Sequence, residues 1–562
     1  MKTIPIHFRP LNRKYQKTLI VLLCISSLSL LAHFHSFWSR VQFSQVDDAR
    51  ATRVNESSDY MNQEKGYSNS DKFENRMFKE RTLEGDQTLL MDFLMGERPG
   101  LVVKSIFGGS LQTETDFDFQ SVWKRVHTEC LDMEIIPTNL NSISTQGRCL
   151  LIAYLALFAP SAFPPKLIDF SSNKLESIVT RYSIHLYPWL SPEFKSISDL
   201  QTRLSNNKTG IVISIGTKQI QFAIHTITTL RKVLLCVLPI EIHYAGDNDL
   251  HPIFIDILQK LPNVKVVNLL TVFPKELMVI EGWSLKPFAL LAASFQKVIL
   301  MDADVLFLQN PVSIISNSTI FSQYGQLFFH DRTFQKDHSD YSDWFKSIVP
   351  HHSQYASQLR FVNQLSYHEQ ESGVVALDKS NIGVLHALLM ACALNSNAMR
   401  AETYQHMWGD KESFWISWEL LRVPYKFAPA YAGAIGVKQG SRVCGSLLQV
   451  DETFNPLYWN GGMQRIKSTK LVDPMRFEYN RTYDLVKFKY LATDFDGHEE
   501  IWTFETEDTP FCLKPKNITR DARALNERER SIGKLYTSLF KKMTSVWVGD
   551  FVDTEFSDVG SL

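Results

Sequence analysis

Two aspartates at the end of an apolar run are the residues best suited to chemistry in this sequence. The run Lys297-Val-Ile-Leu-Met301 leads directly into Asp302 and Asp304. Because the run is short, rich in β-forming residues and not alternating, it predicts a strand covered on both faces. Side chains alternate along an extended backbone, so the two carboxylates point to the same side. Such oxygen ligands suit a hard divalent cation, which neutralises a departing diphosphate.

Context, rather than spacing, distinguishes this pair, because about one Asp-x-Asp is expected by chance in a chain of this length. The chain contains four such pairs: Asp116/Asp118, Asp247/Asp249, Asp302/Asp304 and Asp494/Asp496. The first and the last lie in polar segments where we predict no buried strand before the aspartates. The second lies in a segment typical of a turn and a helix start. Only the third follows a predicted helix and a buried strand.

Three more residues have side chains suited to a binding or catalytic site. Lys286 lies in the first turn of the helix that feeds the strand, which fits a phosphate or nucleotide contact as well as it fits a surface lysine. Glu371 lies in a polar cluster that enters a later strand, and a solvated loop acid is the equal alternative. Asp410 opens a helix with a buried aromatic face, and the residues alone favour an N-cap there.

Alternating strands and helices supply the frame for these residues. The pattern predicts strands at 210–216, 240–245, 264–268 and 297–301, with helices at about 220–234, 250–260 and 284–295. We expect Ser284 to cap the last helix. The alternation predicts a mostly parallel, three-layer α/β sheet. Ligands bind such sheets outside the carboxyl ends of the strands, where Asp302 and Asp304 fall.

Length and charge limit the classes of function. The chain has 562 residues, with 59 Lys and Arg against 60 Asp and Glu, so it has room for two or three domains. This balance gives no basic excess for nucleic acid, and no Cys/His spacing is typical of a zinc site. We therefore expect no nucleic-acid partner.

The amino-terminal region predicts a membrane anchor. Residues 18–39 contain no Asp, Glu, Lys or Arg and are long enough to cross a bilayer as a helix. The preceding tail, residues 1–17, is basic, which predicts a cytoplasmic amino end and a type II orientation. A cleaved signal peptide is the alternative, but the apolar region is long and lacks a clear small-x-small cleavage site.

The rest of the chain divides by composition. Residues 40–87 are polar and poor in aliphatic side chains, which is typical of a stem. Residues 88–206 predict a mostly helical luminal module, and residues 207–470 the main domain. Residues 471–562 are a carboxyl-terminal luminal extension.

Cysteines and glycosylation sequons agree with a luminal location. Cys130 with Cys149, and Cys444 with Cys512, are candidate disulfides in an oxidising compartment. Cys236 and Cys392 lie in apolar helical patterns and fit plain core residues. Sequons begin at Asn55, Asn207, Asn317, Asn480 and Asn517, all on the predicted luminal side.

Five motifs occur in order in the second half of the chain. They are Trp283-Ser-Leu-Lys-Pro-Phe-Ala-Leu-Leu, Val298-Ile-Leu-Met-Asp-Ala-Asp-Val, Gln370-Glu-Ser-Gly-Val-Val, Gly409-Asp-Lys-Glu-Ser-Phe-Trp and Tyr458-Trp-Asn-Gly-Gly462. Together they resemble the fungal Golgi α-1,3-mannosyltransferase family. The resemblance covers roughly residues 207–470, about half of the chain, and the motifs are specific only as a set.

The resemblance implies a GT-A type nucleotide-diphospho-sugar fold, GDP-mannose as donor and Mn²⁺ as cofactor. It also implies transfer, with retention, to terminal mannose of N-linked or O-linked glycans on glycoproteins. The implied location is the Golgi membrane, where a complex with other Golgi transferases is a further expectation. Carried over by position, it implies a metal and donor motif at Asp302 and Asp304, donor contacts from Ser214 and Lys286, and catalytic acids at Glu371 and Asp410.

One feature of related folds is missing from the sequence. Many retaining transferases of this fold supply a late histidine as a further metal ligand. The comparable stretch here, 444–451, contains none. Gln449, Asp451 or a water molecule are the candidates that remain for this position.

Three other functions stay open at this point. A glycosidase would use Glu371 and Asp410 as paired acids without metal or nucleotide, and the metal-type strand ending argues against it. A related GT-A transferase would use a different nucleotide sugar. A non-catalytic luminal subunit of a glycosylation complex would keep the fold without activity, and the intact pair Asp302/Asp304 weighs against that.

Overall fold

A computed structural model of the chain describes residues 130, 139–158, 172–190, 193–273, 279–333, 339–350, 352–463, 474–477, 487–497, 502–503, 511–544 and 546–557. The predicted tail, membrane anchor and stem lie outside these residues, as do Asn55, Asn480 and the pair Asp116/Asp118. Within the described ranges, no helix taken singly has the length and apolar composition to cross a bilayer. One pair of consecutive helices, bent by 85°, meets those two criteria together.

Helices and strands alternate through most of the described chain. The α-helices are α1 (Leu140–Phe158), α2 (Ser172–Leu186), α3 (Ile197–Leu204), α4 (Ile220–Lys232), α5 (Pro252–Gln259), α6 (Leu269–Val272), α7 (Leu285–Ala292), α8 (Ser313–Ser316), α9 (Thr319–Tyr324), α10 (Ser339–Ile348), α11 (Ile382–Leu394), α12 (Asn397–His406), α13 (Ser413–Leu421), α14 (Ile518–Asp521), α15 (Glu527–Met543) and α16 (Val548–Phe556). Short 3₁₀ helices lie at Thr217–Gln219, Gly282–Ser284 and Ala356–Gln358.

The strands form two sheets. They are β1 (Thr209–Ser214), β2 (Ile240–Tyr244), β3 (Val264–Asn268), β4 (Lys297–Met301), β5 (Val305–Phe307), β6 (Gln326–His330), β7 (Gln370–Asp378), β8 (Tyr431–Gln439), β9 (Arg442–Val450), β10 (Pro456–Asn460), β11 (Tyr490–Asp494), β12 (Trp502–Thr503), β13 (Cys512–Leu513) and β14 (Ala522–Ala524).

The first sheet has six strands in the order β3-β2-β1-β4-β7-β6. β1 pairs in parallel with β2 and β4, and β2 pairs in parallel with β3, whereas β7 runs antiparallel to β4 and β6. The predicted mostly parallel sheet is confirmed. The chain moves from β1 out to β3 and then returns to the other side of β1 as β4. The strand order therefore reverses between β1 and β4, where open α/β sheets bind their ligands.

The side chains of β4 enter two different cores, which makes this sheet the middle of three layers. Val298 and Leu300 belong to a buried cluster with residues of α7, α11 and α13. Ile299 and Met301 belong to a second cluster with residues of α4, α5 and α16. β4 is thus covered on both faces, as predicted. Because Asp302 continues the alternation after Met301, its side chain belongs on the side of α7 and α13.

The second sheet has eight strands, which our sequence analysis does not predict. Its main path is β12-β13-β9-β8-β11-β14, and β10 pairs with both β9 and β5. Every pairing described within it is antiparallel. β8 and β9 precede residue 470 whereas β11 to β14 follow it, so the domain boundary placed at 470 falls inside one sheet. The disulfide Cys444–Cys512 joins β9 to β13.

The helical segment before the sheets shares a core with the first sheet. Residues of α1 lie in the same buried cluster as those of α11 and α13. Gly147 of α1 permits this approach, because a Cβ there would lie 2.4 Å from Met390 Cε and 2.6 Å from Leu421 Cδ2. The disulfide Cys130–Cys149 is present, so both predicted disulfides are confirmed. Cys236 and Cys392 are buried free thiols, as predicted, but only Cys392 lies in a helix, α11, whereas Cys236 follows the end of α4.

The predicted cap of α7 is wrong. Ser284 occupies the N-cap position, but its side chain makes no hydrogen bond to an amide of the first turn. The hydroxyl instead accepts from the Glu281 amide at 3.0 Å and donates to the Glu281 carbonyl at 2.8 Å. The physical reason is the 3₁₀ turn that precedes α7, which engages the serine before the helix begins.

Candidate functional site

The turn between β4 and β5 carries Asp302 and Asp304 and is held by backbone hydrogen bonds from two later segments. The Asp302 amide donates to the Gly373 carbonyl at 2.7 Å. The Asp304 carbonyl accepts from the amides of Gly461 and Gly462, at 3.2 and 2.7 Å. Gly462 has φ +59°, a conformation that favours glycine. Two of the sequence motifs therefore hold the Asp-x-Asp turn through the backbone.

Gly373 permits the polar packing beside this turn. A Cβ at this position would lie 2.4 Å from Asn460 Nδ2 and 2.5 Å from Glu371 Oε1. Either contact is too close for a real side chain. Any larger residue would therefore displace the polar groups that border Asp302.

Lys286 is the cation of the site. Its Nζ lies 2.8 Å from Asp302 Oδ1 and 3.8 Å from Asp410 Oδ2, and it donates to the Ser372 carbonyl at 3.2 Å. Its side chain is 12% exposed, so the surface-lysine interpretation is wrong. Burial opposes the charge, but the carboxylates of Asp302 and Asp410 outweigh it and raise the pKa of Lys286 above its usual value. The ammonium group therefore stays charged at neutral pH.

Asp410 is a buried acid, and one of its carboxylate oxygens lacks a hydrogen bond. The residue is 1% exposed, and among the described residues its Oδ2 accepts no hydrogen bond. Burial raises the pKa of its carboxyl, and the nearby Lys286 ammonium opposes that rise. An orphaned buried oxygen costs free energy unless a ligand satisfies it.

The predicted helix-capping role of Asp410 is wrong. Helix α13 begins at Ser413, and Glu412 occupies its N-cap position. Asp410 contributes only its backbone carbonyl to the helix start, where it accepts from the Ser413 amide at 3.0 Å. A positive φ of 64° at Gly409 turns the chain just before Asp410. Its carboxylate is thereby directed toward Lys286.

Glu371 is also buried at the site, but its carboxylate is fully engaged. Oε1 accepts from the Gly373 amide at 2.7 Å and from Asn460 Nδ2 at 2.8 Å, and Oε2 accepts from the Tyr458 hydroxyl at 2.8 Å. The residue is the second of β7 and is 2% exposed, so the solvated-loop interpretation is wrong. Burial, followed by the charge of Asp331, raises the pKa of the Glu371 carboxyl. Glu371 ties β7 to β10 behind the Asp-x-Asp turn.

Ser214 ends β1 at the point where the strand order reverses. β1 and β4 pair with Ile213 beside Met301, so one further step brings Ser214 beside Asp302. The Ser214 hydroxyl is buried and has no hydrogen-bond partner among the described residues. It is a second polar group at this edge that a ligand would satisfy.

The residues present fit a divalent cation that takes its remaining ligands from a substrate. Asp302 is partly exposed, with 28% of its side chain accessible, and Asp304 follows it in the same turn. Within the described ranges, no group of three or more His, Cys, Asp or Glu side chains is arranged to hold a metal. A cation here would depend on the two carboxylates together with phosphate and water oxygens, an arrangement typical of Mg²⁺ in nucleotide sites.

The later candidates for a third protein ligand are engaged elsewhere. Gln449 donates through Nε2 to the His330 carbonyl at 2.8 Å. Asp451 Oδ1 accepts from the Thr453 and Asn455 amides, each at 2.9 Å. Both side chains therefore support local structure.

Two polar contacts of the residues that follow Asp410 are absent from the sequence-based prediction. Lys411 Nζ contacts Asp331 Oδ2 at 2.6 Å, and the charge of Lys411 holds the pKa of Asp331 below its usual range despite burial. Glu412 Oε1 accepts from the Glu369 amide at 3.0 Å, and burial raises the pKa of Glu412 to about 8. Lys411 and Glu412 directly follow Asp410 in one of the motifs, which was the sequence feature that could have indicated their role. Asp331 lies 80 residues before Lys411, and no sequence feature indicated that the two would pair.

The surroundings of the pair Asp494/Asp496 differ from the prediction made for it. Asp494 is the last residue of β11, a buried strand, although we predicted no buried strand before it. Its Oδ1 accepts from the Asp496 amide at 3.1 Å and from the Gly497 amide at 2.9 Å. This carboxylate closes a turn at the strand end.

Three of the predicted glycosylation sequons lie within the described residues. Asn207, Asn317 and Asn517 are all exposed. Asn517 also caps α14, because its side chain accepts from the Thr519 and Arg520 amides. Whether any of them carries a glycan stays a prediction.

The family model and the relatives that this chain matches are all described as mannosyltransferases. A family model described as "Mannosyltransferase putative" matches residues 208–451. "Putative alpha-1,3-mannosyltransferase MNN14" from Candida albicans is 29% identical over 312 residues, which is 48% of this chain and 44% of the relative. "Probable alpha-1,3-mannosyltransferase MNT4" from Saccharomyces cerevisiae is 24% identical over 346 residues, 54% of this chain and 56% of the relative. The matches span about half the length of these relatives.

Solved structures give weaker similarities. The mannosyltransferase Ktr4p from S. cerevisiae matches with 10% identity and a TM-score of 0.24, covering 55% of this chain and 82% of that one. Mouse xyloside xylosyltransferase 1 matches with 11% identity and a TM-score of 0.26, covering 39% of this chain and 84% of that one. These TM-scores are too low to carry an argument.

Proposed function

We propose that this chain, whose residues 208–451 are similar to putative fungal α-1,3-mannosyltransferases, belongs to that family and transfers mannose from GDP-mannose to terminal mannose of protein-linked glycans. The observation that carries the proposal is the cluster of Lys286, Asp302 and Asp410, whose Oδ2 accepts no hydrogen bond, beside the β1/β4 reversal. It puts a fixed cation, a partly exposed acid and a buried acid where an α/β sheet binds its ligand.

The donor half of the proposed reaction needs groups that bind and orient a diphosphate. A divalent ion such as Mn²⁺, when bound by Asp302 and Asp304, supplies charge neutralisation for the departing GDP. Ser214 offers its unpartnered hydroxyl to the donor. Lys286 holds a permanent positive charge 2.8 Å from Asp302 and so keeps that carboxylate oriented.

Asp410 is better suited than Glu371 to act at the reacting sugar. Both acids are buried, but three donors occupy the Glu371 carboxylate, whereas Asp410 keeps one oxygen without a hydrogen bond. A buried carboxylate beside a departing group can stabilise positive charge at the sugar carbon or accept the proton of the attacking hydroxyl. We assign that role to Asp410 and a positioning role to Glu371.

The cellular setting belongs to the same proposal. We propose a single-pass type II protein with its catalytic domain in the Golgi lumen and with N- or O-linked glycans of glycoproteins as acceptors. The two disulfides support an oxidising compartment. The three exposed sequons are compatible with it. A complex with other Golgi transferases is part of this proposal.

The experiment compares donors with the full-length protein in detergent micelles. GDP-mannose, a UDP-sugar and a nitrophenyl α-mannoside are each offered with Mn²⁺ and α-mannobiose, with and without EDTA, and the product linkage is determined. We expect EDTA-sensitive transfer from GDP-mannose that forms an α-1,3 bond. Transfer from the UDP-sugar alone would identify a different donor. EDTA-insensitive release of nitrophenol would indicate a glycosidase, and no turnover of any kind would favour a non-catalytic subunit.

A further inference from the structure

Two exposed tryptophans lie next to the turn that carries Asp410. Trp408 is 50% exposed and Trp283 is 60% exposed. The Trp283 ring packs on Gly409, where a Cβ would lie 2.7 Å from the ring carbon Cε3. The two indoles therefore border the same short segment, next to the buried acid.

Both indoles are supported from behind. The Trp408 ring stacks on Tyr367, with ring centroids 6.0 Å apart and planes inclined by 29°, and meets His368 edge-on at 5.5 Å. Trp283 lies in the 3₁₀ turn that precedes α7. Arg400 fixes this turn through a 2.7 Å hydrogen bond to the Ser284 hydroxyl. These rings are held in place although half of their surface faces solvent.

Exposed aromatic surface beside an unsatisfied acid calls for an amphipathic ligand. Large apolar side chains at the surface cost solvation free energy, and a supported pair of them marks a binding surface. The face of an aromatic ring is apolar and carries negative potential, so it attracts polarised C–H groups. The Asp410 oxygen, in contrast, needs a donor such as a hydroxyl. A pyranose supplies both, because its C–H groups and hydroxyls lie on different faces.

We propose that Trp283 and Trp408, with Tyr367 behind them, form the subsite that receives the terminal α-mannoside of the acceptor. The assignment rests on the proposed mannosyltransfer. The donor nucleotide is expected at the ends of β1 and β4, near Ser214, whereas the tryptophans border Asp410. The acceptor hydroxyl would thus reach the orphaned Asp410 oxygen while the sugar ring stacks on the indoles.

The test separates acceptor from donor binding in the full-length protein in detergent. Trp408→Ala and Trp283→Ala should each raise the KM for α-mannobiose about tenfold, with the KM for GDP-mannose unchanged. Trp408→Tyr should recover part of the loss, because it keeps an aromatic face. Trp547→Ala is the matched control, since Trp547 is 45% exposed but lies at the start of α16.

A measurement without turnover completes the test. Saturation-transfer NMR should detect methyl α-mannoside on the wild type in the presence of GDP and Mn²⁺, and on Trp547→Ala, but not on the double variant Trp283→Ala/Trp408→Ala. A higher KM for GDP-mannose with an unchanged acceptor KM would overturn the proposal in favour of a nucleobase site. Unchanged acceptor constants and NMR signals would also overturn it. A wild type that transfers no mannose refutes the proposed function instead, which the wild-type assay alone reveals.

Discussion

Among the described residues, two Asp-x-Asp pairs end buried strands, and their surroundings differ. Asp494 Oδ1 accepts hydrogen bonds from two backbone amides of its own turn. Asp302 instead contacts Lys286 through its carboxylate, its amide donates to the Gly373 carbonyl, and the Asp304 carbonyl accepts from Gly461 and Gly462. Sequence spacing and a preceding strand are common to both pairs. The difference lies in what binds the backbone of the turn.

The two turns differ in the groups that hold their backbone. In the first sheet the turn after β4 is held through backbone atoms of Gly373, Gly461 and Gly462. In the second sheet, the described hydrogen bonds include none from a later segment to the backbone of the turn after β11. The Asp494 side chain holds that turn instead. Metal coordination by Asp494 Oδ1 would break this turn, whereas its buried Oδ2 has no hydrogen-bond partner among the described residues.

The largest effect should follow from removing Asp304. Asp304→Ala should fold normally and lower transfer about a thousandfold or more, because the divalent ion that would neutralise the departing diphosphate would lose one of its two carboxylate ligands. Asp496→Ala, in the second pair, is the matched control and should retain activity. Initial rates with GDP-mannose and α-mannobiose measure both. Comparable losses in the two variants would mean that the pairs do not differ as described.

A smaller but still large effect is expected at Asp410. Asp410→Asn keeps the shape and removes the charge, so transfer should fall about a hundredfold or more. The melting temperature should stay close to that of the wild type, since the substitution also removes the penalty of burying a charge. Single-turnover rates and thermal unfolding would be measured together. Wild-type rates would return Asp410 to a purely structural role.

Glu371 should respond more weakly than Asp410. Gln at this position can still accept from Gly373 and Asn460 and can donate to Tyr458, so Glu371→Gln should lower transfer only about tenfold. The comparison of kcat for Glu371→Gln and Asp410→Asn ranks the two acids. A loss at Glu371 larger than that at Asp410 would reverse their assigned roles.

The smallest effect concerns stability against pH at Glu412. Its folded pKa, about 8, lies above the unfolded value of about 4.3. The folded state therefore binds the proton more tightly, and this contribution to stability is fully present below pH 4.3 and is lost as the pH rises through 8. The melting-temperature advantage of wild type over Glu412→Gln should shrink between pH 5 and pH 9. A constant or growing advantage would contradict the raised pKa.

The first sheet was predictable because its signals are local. A continuous apolar run gave β4, strand–helix alternation gave the parallel order, and the position of Lys286 in the first turn of α7 suggested a site role. The second sheet was not predictable from the sequence. Its strands β8 and β11 pair across more than fifty residues, and no local sequence pattern indicates that pairing. Tertiary contacts also determine the surroundings of Asp410 and Glu371. The sequence could not show that Asp410 lies before the cap or that Glu371 lies inside β7.

Partners of the site residues were the least predictable part. Ser372, Tyr458 and Asn460 are uncharged and have no distinctive spacing, yet one of them binds Lys286 and two bind Glu371. The motifs contained these residues without revealing which contacts they make.

The most direct test of the central claim is the binding of Mn²⁺ and GDP to the Asp302/Asp304 turn, measured as a shift in melting temperature. At a ligand concentration about a hundredfold above Kd, linkage should stabilise the wild type by about 2.7 kcal/mol. Mn²⁺ and GDP added together should raise the melting temperature of wild type and of Asp496→Ala, but not that of Asp304→Ala. An equal rise in Asp304→Ala would contradict the account, because donor binding would then not depend on this carboxylate.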